Sequence, residues 1–229
     1  MSGLFVQIWV DKLGFVGFMN ELVAILHLNQ RTFNILNLSK MNSLLTEREK
    51  QDFFIKLYFK ITNGFELGGI KRAYLDFNRT LKIIDNNRLF LKQSAENYLF
   101  INLKVGLQKQ FLNQEEFDEQ HRIWCEELMQ TWTELSYGQS QKWVNMTLKY
   151  WLLFGNERIN NVELNAKYFH IPIDSYVQKG MFNEKTPKPW SKISDYKDYM
   201  RYQLEHRKKE TGNHPIVDEF NFFNNYNPN

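Results

Sequence analysis

The sequence contains a single cysteine, Cys125, so the chain cannot form a disulfide within itself. Neither this cysteine nor the five histidines form a cluster with the spacing of zinc ligands. We therefore expect no metal and no other cofactor. Because cysteine this sparse is typical of proteins from reducing compartments, the sequence also predicts a cytoplasmic location.

Proline and glycine are scarce as well, at five and eleven of 229 residues, while Leu, Lys, Gln and Glu are frequent. The scarce residues interrupt helices and the frequent ones favour them. No segment has a convincing strand pattern, and about eight to ten segments have helical periodicity. Since 43% of the residues are hydrophobic, the chain can bury a proper core. The sequence predicts an all-α fold, a compact bundle of helices.

Long hydrophobic runs are absent too. Residues 1–28 are rich in Phe, Val, Leu and Ile, but Asp11, Lys12, Asn20 and Glu21 interrupt them before they reach the length of a membrane helix. A basic start and a small-residue cleavage site are also missing, which argues against a signal peptide. We expect no membrane partner, and we expect a monomer.

Domain organisation is predicted as three parts. Residues 1–40 are an N-terminal extension, which forms either one or two extra helices or an upstream addition with Met41 as the native start. Residues 41–223 form one helical domain, and the Asn-rich residues 224–229 form a disordered tail. Apolar periodicity and turn residues place the main helices at 45–62, 70–84 (preceded by Gly68 and Gly69), 88–107, 113–135, 138–155, 190–209 and 214–223. Ser194 or Asp195 would cap the long helix over 190–209, Tyr199, Tyr202 and Leu204 would point inward, and the basic run that starts at Arg207 suits the helix dipole.

Net charge is weakly positive, at +3, which permits a nucleic-acid partner without requiring one. Four lysines follow one another in the C-terminal third: Lys179, Lys185, Lys188 and Lys192. They would widen a DNA-binding surface, but lysines so arranged are more often simply solvated.

The segment from Gly138 to Gly155 reads as a helix that is apolar around almost its whole circumference, as in a helix buried on most sides. One stripe breaks this pattern, because Lys142, Asn145 and Lys149 share a face. An unpaired ammonium is too costly to bury. The stripe is therefore expected to face a carboxylate, a phosphate or a substrate.

A second notable segment follows at residues 168–177. Pro172 favours an extended conformation for Ile171, and Asp174 before Ser-Tyr-Val is placed to cap a short helix. Capping alone is a sufficient explanation of this aspartate at this point.

A lysine on one helix, followed by a Pro-x-Asp-[Ser/Thr]-x-Val turn that opens the next, resembles the catalytic region of the helix-hairpin-helix DNA glycosylases. Lys142 and Asp174 are 32 residues apart (174 − 142). That gap, with Gln-Lys in the helix and Ile-Pro-Ile-Asp in the turn, is most similar to the archaeal 8-oxoguanine glycosylase branch and related bacterial proteins. Some relatives act against modified phage DNA. The resemblance covers about residues 115–220; the usual Leu-Pro-Gly-x-Gly hairpin is missing, and only Gly138 precedes the lysine.

The resemblance implies a multi-helix fold with a cleft between two helical subdomains, and excision of a modified base flipped out of DNA. Asp174 would be the essential carboxylate. Lys142 would either attack the sugar as a neutral amine and form a Schiff base, giving associated AP-lyase activity, or stay charged and support attack by water. Both routes remain open. The competing interpretation is a non-catalytic helical module that binds DNA or protein, in which the two residues form a structural ion pair.

Further candidates for contacts with substrate or DNA lie near these two residues: Gln139, Gln141, Asn145, Lys149, His170, Ser175, Tyr137 and Trp190. Each has a structural alternative. The glutamines would equally cap a helix start, Lys149 would form an ion pair, and His170 would be a packed, hydrogen-bonded histidine. Phosphate contacts are expected from backbone N–H groups at the starts of the helices opened by Gly138 and Asp174.

Overall fold

The computed structural model describes residues 45–82 and 87–225. Every regular element in these two ranges is helical, so the predicted all-α class is confirmed. The nine α-helices of this part are α1 (Glu47–Phe59), α2 (Phe65–Phe77), α3 (Arg88–Gly106), α4 (Gln114–Thr131), α5 (Tyr137–Phe154), α6 (Val162–Asn165), α7 (Ser175–Gly180), α8 (Tyr196–Arg207) and α9 (Pro215–Asn225). Short 3₁₀ turns occupy Asn78–Thr80, Ala166–Tyr168 and Trp190–Lys192. The cleft between subdomains stays a prediction.

The chain divides into two units, Arg48–Glu219 and a second made of Met1–Glu47 with Phe220–Asn229. Of the second unit, only residues 45–47 and 220–225 are described. The predicted extension over residues 1–40 and the alternative start at Met41 lie outside the described residues. Helix α9 continues to Asn225, two residues into the segment predicted as a tail. No helix in the described ranges is long and apolar enough to cross a membrane.

Helix α5 is the centre of the larger unit, and almost every residue along it is buried. Its start is fixed by a capping box, in which Ser136 accepts from the backbone N–H of Gln139 and the Gln139 side chain accepts from the N–H of Ser136. The helix ends at Gly155, whose φ of 76° is a backbone conformation that glycine adopts with little energetic penalty. Helices α2 and α4 both pack against it. The predicted buried helix is therefore confirmed.

Helix α2 begins at Phe65, five residues before the predicted start at Ile70. The prediction placed Gly68 and Gly69 in front of the helix, and this was wrong. Both glycines lie inside the helix and are buried. A Cβ on Gly69 would come within 2.8 Å of the Trp151 ring on α5, and a Cβ on Gly68 within 2.5 Å of the Ile61 side chain. Close packing, rather than a turn, explains these glycines.

The predicted helix over residues 190–209 is interrupted, whereas its predicted cap at Ser194 or Asp195 is confirmed at Asp195. A 3₁₀ turn at Trp190–Lys192 is followed by an extended Ile193, and α8 begins only after Asp195, whose side chain caps it. The interruption brings backbone carbonyls onto the start of α5: Gly138 donates its N–H to Ile193 O at 2.9 Å. Tyr199 and Tyr202 are buried, as expected of the inner face, whereas Leu204, predicted to point inward, is 49% exposed.

Gly138 is required by this close approach, since a Cβ there would lie 1.9 Å from the Trp190 carbonyl oxygen. We expect Gly138→Ala to lower the free energy of unfolding by about 3 kcal/mol or more, because backbone must move to relieve the overlap. Urea denaturation measures this loss.

Gly212→Ala is the matched control. A Cβ at Gly212 meets nothing within 4 Å, but φ is +78°, so this change reports conformational strain alone. It should cost about 1–2 kcal/mol. A loss at Gly138 no larger than the loss at Gly212 would contradict the close approach.

Candidate functional site

Lys142 and Asp174 meet in the structure. The lysine Nζ donates to Asp174 Oδ2 at 2.7 Å, and the side chains are 6% and 15% exposed. Lys142 lies in the second turn of α5, and Asp174 is the N-cap of α7. Two residues far apart in the chain are thus joined in one ion pair, with the carboxylate as its more accessible member.

Both oxygens of Asp174 accept hydrogen bonds. Oδ1 accepts from the backbone N–H groups of Tyr176 and Val177, each at 3.0 Å, and Oδ2 accepts from Lys142. Burial alone would raise the pKa of Asp174, but the adjacent Lys142 ammonium and the Val177 N–H hold it below its ordinary value. The carboxyl group is therefore ionised at neutral pH, as a group that stabilises developing positive charge must be.

The extended residues before Asp174 are bound by two buried glutamines. Gln141 on α5 donates to Ile173 O at 2.9 Å and accepts from Ile173 N–H at 3.2 Å. Gln203 on α8 makes the same pair of bonds with Ile171, at 2.9 Å and 3.1 Å. The Gln141 side chain also donates to Gly138 O at 2.9 Å.

Asn145 connects Gln141 to a larger buried network. Its Nδ2 donates to Gln141 Oε1 at 3.0 Å and to the Tyr199 hydroxyl at 2.9 Å. Its Oδ1 lies 2.9 Å from His121 Nε2, which we assign as the protonated nitrogen because the amide oxygen can only accept.

The network continues through His170 to the edge of the protein. Tyr199 lies 2.9 Å from His170 Nδ1, and His170 Nε2 lies 2.8 Å from Asp118 Oδ1. Arg207 donates to both oxygens of Asp118, at 2.6 and 2.8 Å. These distances fit a neutral His170 that accepts from the tyrosine and donates to the carboxylate. Asp118 and Arg207 are only partly buried, so the network runs from the protein edge to the centre of α5.

Burial lowers the pKa of His121 and His170, the two histidines of this network, and also that of His206, which lies against Asp218. For His121 a charge on His170 would add to the effect, and for His170 the hydrogen bond to Asp118 opposes it. The pKa of Asp118 is itself held low: burial would raise it, but the hydrogen bonds from His170 and Arg207 dominate. The native state therefore carries His121 and His170 as neutral imidazoles at neutral pH.

Because these two histidines resist protonation, the free energy of unfolding should fall as pH drops through their unfolded pKa of about 6.5. Below that pH the unfolded chain binds protons that the native state does not. Each histidine that stays neutral in the native state then lowers the free energy of unfolding by about 1.4 kcal/mol per pH unit. Between pH 7.5 and 5.5 we expect a loss of up to about 2–3 kcal/mol. Urea denaturation at both pH values measures it.

Histidine NMR shifts provide the control. The signals of His121 and His170 should remain those of neutral imidazole at pH 5.5. Burial raises the pKa of Glu219 despite Lys149, so proton uptake by native Glu219 would offset part of the loss in the free energy of unfolding. The NMR signals therefore decide whether His121 and His170 are neutral. Titration of His121 and His170 near pH 6.5 would contradict the assignment of neutral imidazoles.

Lys149 forms a second and more deeply buried ion pair. Its Nζ donates to Glu219 Oε1 at 2.7 Å, and the side chains are 3% and 1% exposed. The predicted polar stripe on α5 is thus confirmed. Lys142 and Lys149 each face a carboxylate, and Asn145 faces a histidine, a tyrosine and a glutamine.

Asp76 on α2 is a further carboxylate close to the stripe. Tyr150 donates to its Oδ2 at 2.7 Å. Burial raises the pKa of Asp76, while Arg72, the Tyr150 hydrogen bond and the charges of Lys142 and Lys149 oppose the rise. Asp76 thus adds a third acidic side chain near the two lysines of the stripe, with Arg72 as its own ion-pair partner at 3.8 Å.

The other candidates occupy varied positions. Gln139 completes the capping box and donates to Thr80 on the neighbouring 3₁₀ turn. Tyr137 is buried, while Ser175 and Trp190 are half-buried at the start of α7 and in the 3₁₀ turn over α5. Substrate or DNA contacts by any candidate stay a prediction.

The backbone N–H groups expected to bind phosphate have partners inside the protein. Those of Gly138 and Gln139 donate to Ile193 O and Ser136 Oγ, and those after Asp174 donate to its own carboxylate. The expectation that these groups contact phosphate was therefore wrong for this state of the protein. A helix start that is already capped offers those donors to no external anion.

Several residues of the buried hydrogen-bond network and ion pairs around α5 were missed in the sequence: Asp118, His121, Gln203, Arg207 and Glu219. A signal was present for two of them. Gln203 lies on the same face of α8 as Tyr199 and Tyr202, and Glu219 follows Ile216 on the inner side of α9. A polar residue on an inward face must find a partner. Arg207 was assigned to the helix dipole, although its guanidinium binds Asp118.

Comparisons with protein-family models, curated proteins and solved structures find no match for this chain. The resemblance to the helix-hairpin-helix glycosylases therefore depends on the lysine and the Pro-x-Asp turn alone.

Proposed function

We propose that this protein is a DNA glycosylase that excises a modified base by cleaving its N-glycosidic bond, with Asp174 as the essential carboxylate. The observation that carries the proposal is the contact of an ionised, partly exposed aspartate with Lys142, 2.7 Å away. The resemblance of the two sequence segments supports the same reaction.

Departure of a base leaves positive charge on the deoxyribose ring. A carboxylate held beside the ring stabilises that charge, most effectively when its orientation is fixed in advance. Two backbone N–H groups and Lys142 fix Asp174 in this way, and its depressed pKa keeps it ionised. Asp174 would also orient or deprotonate the attacking group.

Lys142 has two possible roles in this reaction. If Lys142 first passes its proton to a neighbouring proton acceptor, the neutral amine attacks the anomeric carbon as the nucleobase leaves. Loss of a further proton from the amine and opening of the sugar ring then give a Schiff base. If it keeps its proton, it holds Asp174 ionised while water attacks, and the product is an abasic site. Borohydride reduction distinguishes the routes, because only a Schiff base gives a trapped protein–DNA adduct, and Lys142→Ala should abolish it.

The surroundings of the pair suit a DNA partner. Tyr176, two residues after Asp174, is 48% exposed and is an aromatic residue of the kind on which flipped bases stack. Lys179, Lys185, Lys188 and Lys192 are all exposed and follow in the adjoining segment. Their positive charge favours the phosphate backbone. We propose a modified base as substrate, with phage DNA that carries modified bases as one source, and a monomeric enzyme.

Base release from a panel of DNAs tests the proposal. Single- and double-stranded DNAs with oxidised, alkylated, deaminated and glycosylated bases, including phage genomes, are incubated with the protein, and free bases are identified by mass spectrometry. We expect one class of modification to be released. No release from any member would contradict the proposal.

The alternative, a non-catalytic DNA- or protein-binding module, is favoured by one observation. The Lys142 side chain is only 6% exposed, as in a purely structural ion pair. In that case Lys142→Met would lower the melting temperature sharply, since it leaves a carboxylate without its partner, and no DNA would be turned over.

A further inference from the structure

An extended segment, Ile171–Ile173, runs between helices α5 and α8 and leads directly into Asp174. The residues described around it are helical or irregular, so no partner strand satisfies its backbone. Two glutamine side chains take that role. Gln203 binds the N–H and C=O of Ile171, and Gln141 binds the N–H and C=O of Ile173.

The residue between the two, Pro172, has no N–H to satisfy. An amide side chain presents one donor and one acceptor, so each glutamine matches one residue as a neighbouring strand would. Both glutamines and both isoleucines are fully buried. Loss of either glutamine would leave a buried N–H and C=O without partners.

The Gln141 pair has a particular place in the chain. Gln141 immediately precedes Lys142, and Ile173 immediately precedes Asp174. One pair of hydrogen bonds thus connects the residues next to the two members of the ion pair. A shift of the extended segment by one residue would turn alternate side chains to the opposite face, so this pair fixes the register in which the carboxylate meets the lysine.

The orientation of the Gln141 amide is itself fixed. Asn145 Nδ2 donates to Gln141 Oε1 at 3.0 Å, which assigns the oxygen to that side and leaves Nε2 to donate to Gly138 O and Ile173 O. Asn145 is held in turn by His121 and Tyr199. A reversed amide would place two donors, or two acceptors, against each other.

We infer that Gln141 is a positioning residue, which holds the Asp174 carboxylate at its working distance from Lys142 through the backbone of Ile173. The catalytic consequence rests on the proposed glycosylase function, whereas the geometric consequence does not. Gln203 anchors the same segment at Ile171, farther from Asp174, and provides the matched control.

The test compares Gln141→Met with Gln203→Met, since methionine has nearly the length of glutamine but no amide. Titration of the Asp174 carboxyl carbon by ¹³C NMR reports whether Lys142 still faces it. We expect both variants to lose stability, but the pKa of Asp174 to move up toward its ordinary value only in Gln141→Met, because the Lys142 ammonium then lies farther from the carboxylate. Gln141→Asn, which keeps an amide but withdraws it by one methylene, should shift the pKa in the same direction with a smaller loss of stability.

Kinetics supply the second readout. A carboxylate displaced by about 1 Å costs on the order of 100-fold in the chemical step. We expect kcat for base release to fall by that factor in Gln141→Met with KM little changed, and to fall less than threefold in Gln203→Met. An altered Asp174 titration in a protein that releases no base would support the positioning role and contradict the glycosylase function. An Asp174 titration that is unchanged in Gln141→Met, or changed equally in both variants, would overturn the inference.

Discussion

Asp174→Asn should lower the rate of base release by about 10²–10⁴-fold, the range expected when a group that acts on the transition state is removed. The amide oxygen can still accept from the backbone N–H groups of Tyr176 and Val177, so α7 keeps its cap. What is lost is the negative charge beside the sugar. Single-turnover measurement with enzyme in excess over DNA isolates this step from product release.

A matched control is available at the start of α8. Asp195 caps that helix by accepting from Asp198 N–H, as Asp174 caps α7, but within residues 45–82 and 87–225 it forms no ion pair with a lysine. Asp195→Asn should leave base release within about twofold of the wild type, because it removes only a capping charge. Equal losses in the two variants would mean that Asp174 acts only through the stability of its helix.

Lys149→Met should lower the free energy of unfolding by about 3–5 kcal/mol, the range for breaking one partner of a buried ion pair. The change leaves the Glu219 carboxylate, 1% exposed, without the ammonium that lies 2.7 Å away. Burial already raises the pKa of Glu219, so the carboxyl group would take up a proton at a cost in stability. Urea denaturation at pH 7 gives the loss directly.

Two further variants separate charge from packing. Lys109→Met breaks the solvent-exposed pair with Glu116 and should cost less than about 1 kcal/mol. The double variant Lys149→Met/Glu219→Leu removes both buried charges and should recover most of the stability. If Lys149→Met lowered the free energy of unfolding no more than Lys109→Met, the buried ion pair between α5 and α9 would stabilise the protein no more than an exposed pair.

Local features of this fold could be predicted from the sequence because their causes are local. Asn113, Asp174 and Gly155 cap helices as their positions indicate. The cap at Asp195 was predicted, but the 3₁₀ turn at Trp190 was missed because it is caused by packing against Gly138, 52 residues earlier (190 − 138). The placement of Gly68 and Gly69 inside α2 was missed because their close neighbours are side chains of other segments, Ile61 for Gly68 and Trp151 for Gly69.

The candidate site was predictable to a similar extent. An apolar helix with Lys142, Asn145 and Lys149 in line required polar partners, and the structure supplies them. Asp174 was identified as a partner through a resemblance. Glu219 and Gln203 were not, because nothing in a single sequence specifies which distant helix packs on which face. Hydrogen bonds between residues far apart in the chain become evident only once the helices are assembled.

The most direct test of the central claim is the free base released from the responsive DNA by wild-type protein and by Asp174→Asn, at a temperature where both are folded. Mass spectrometry of the supernatant gives the amount and identity of the base. We predict release by the wild type and essentially none by the variant. Equal release by both proteins would show that the Lys142–Asp174 pair is a structural contact and not a reactive centre.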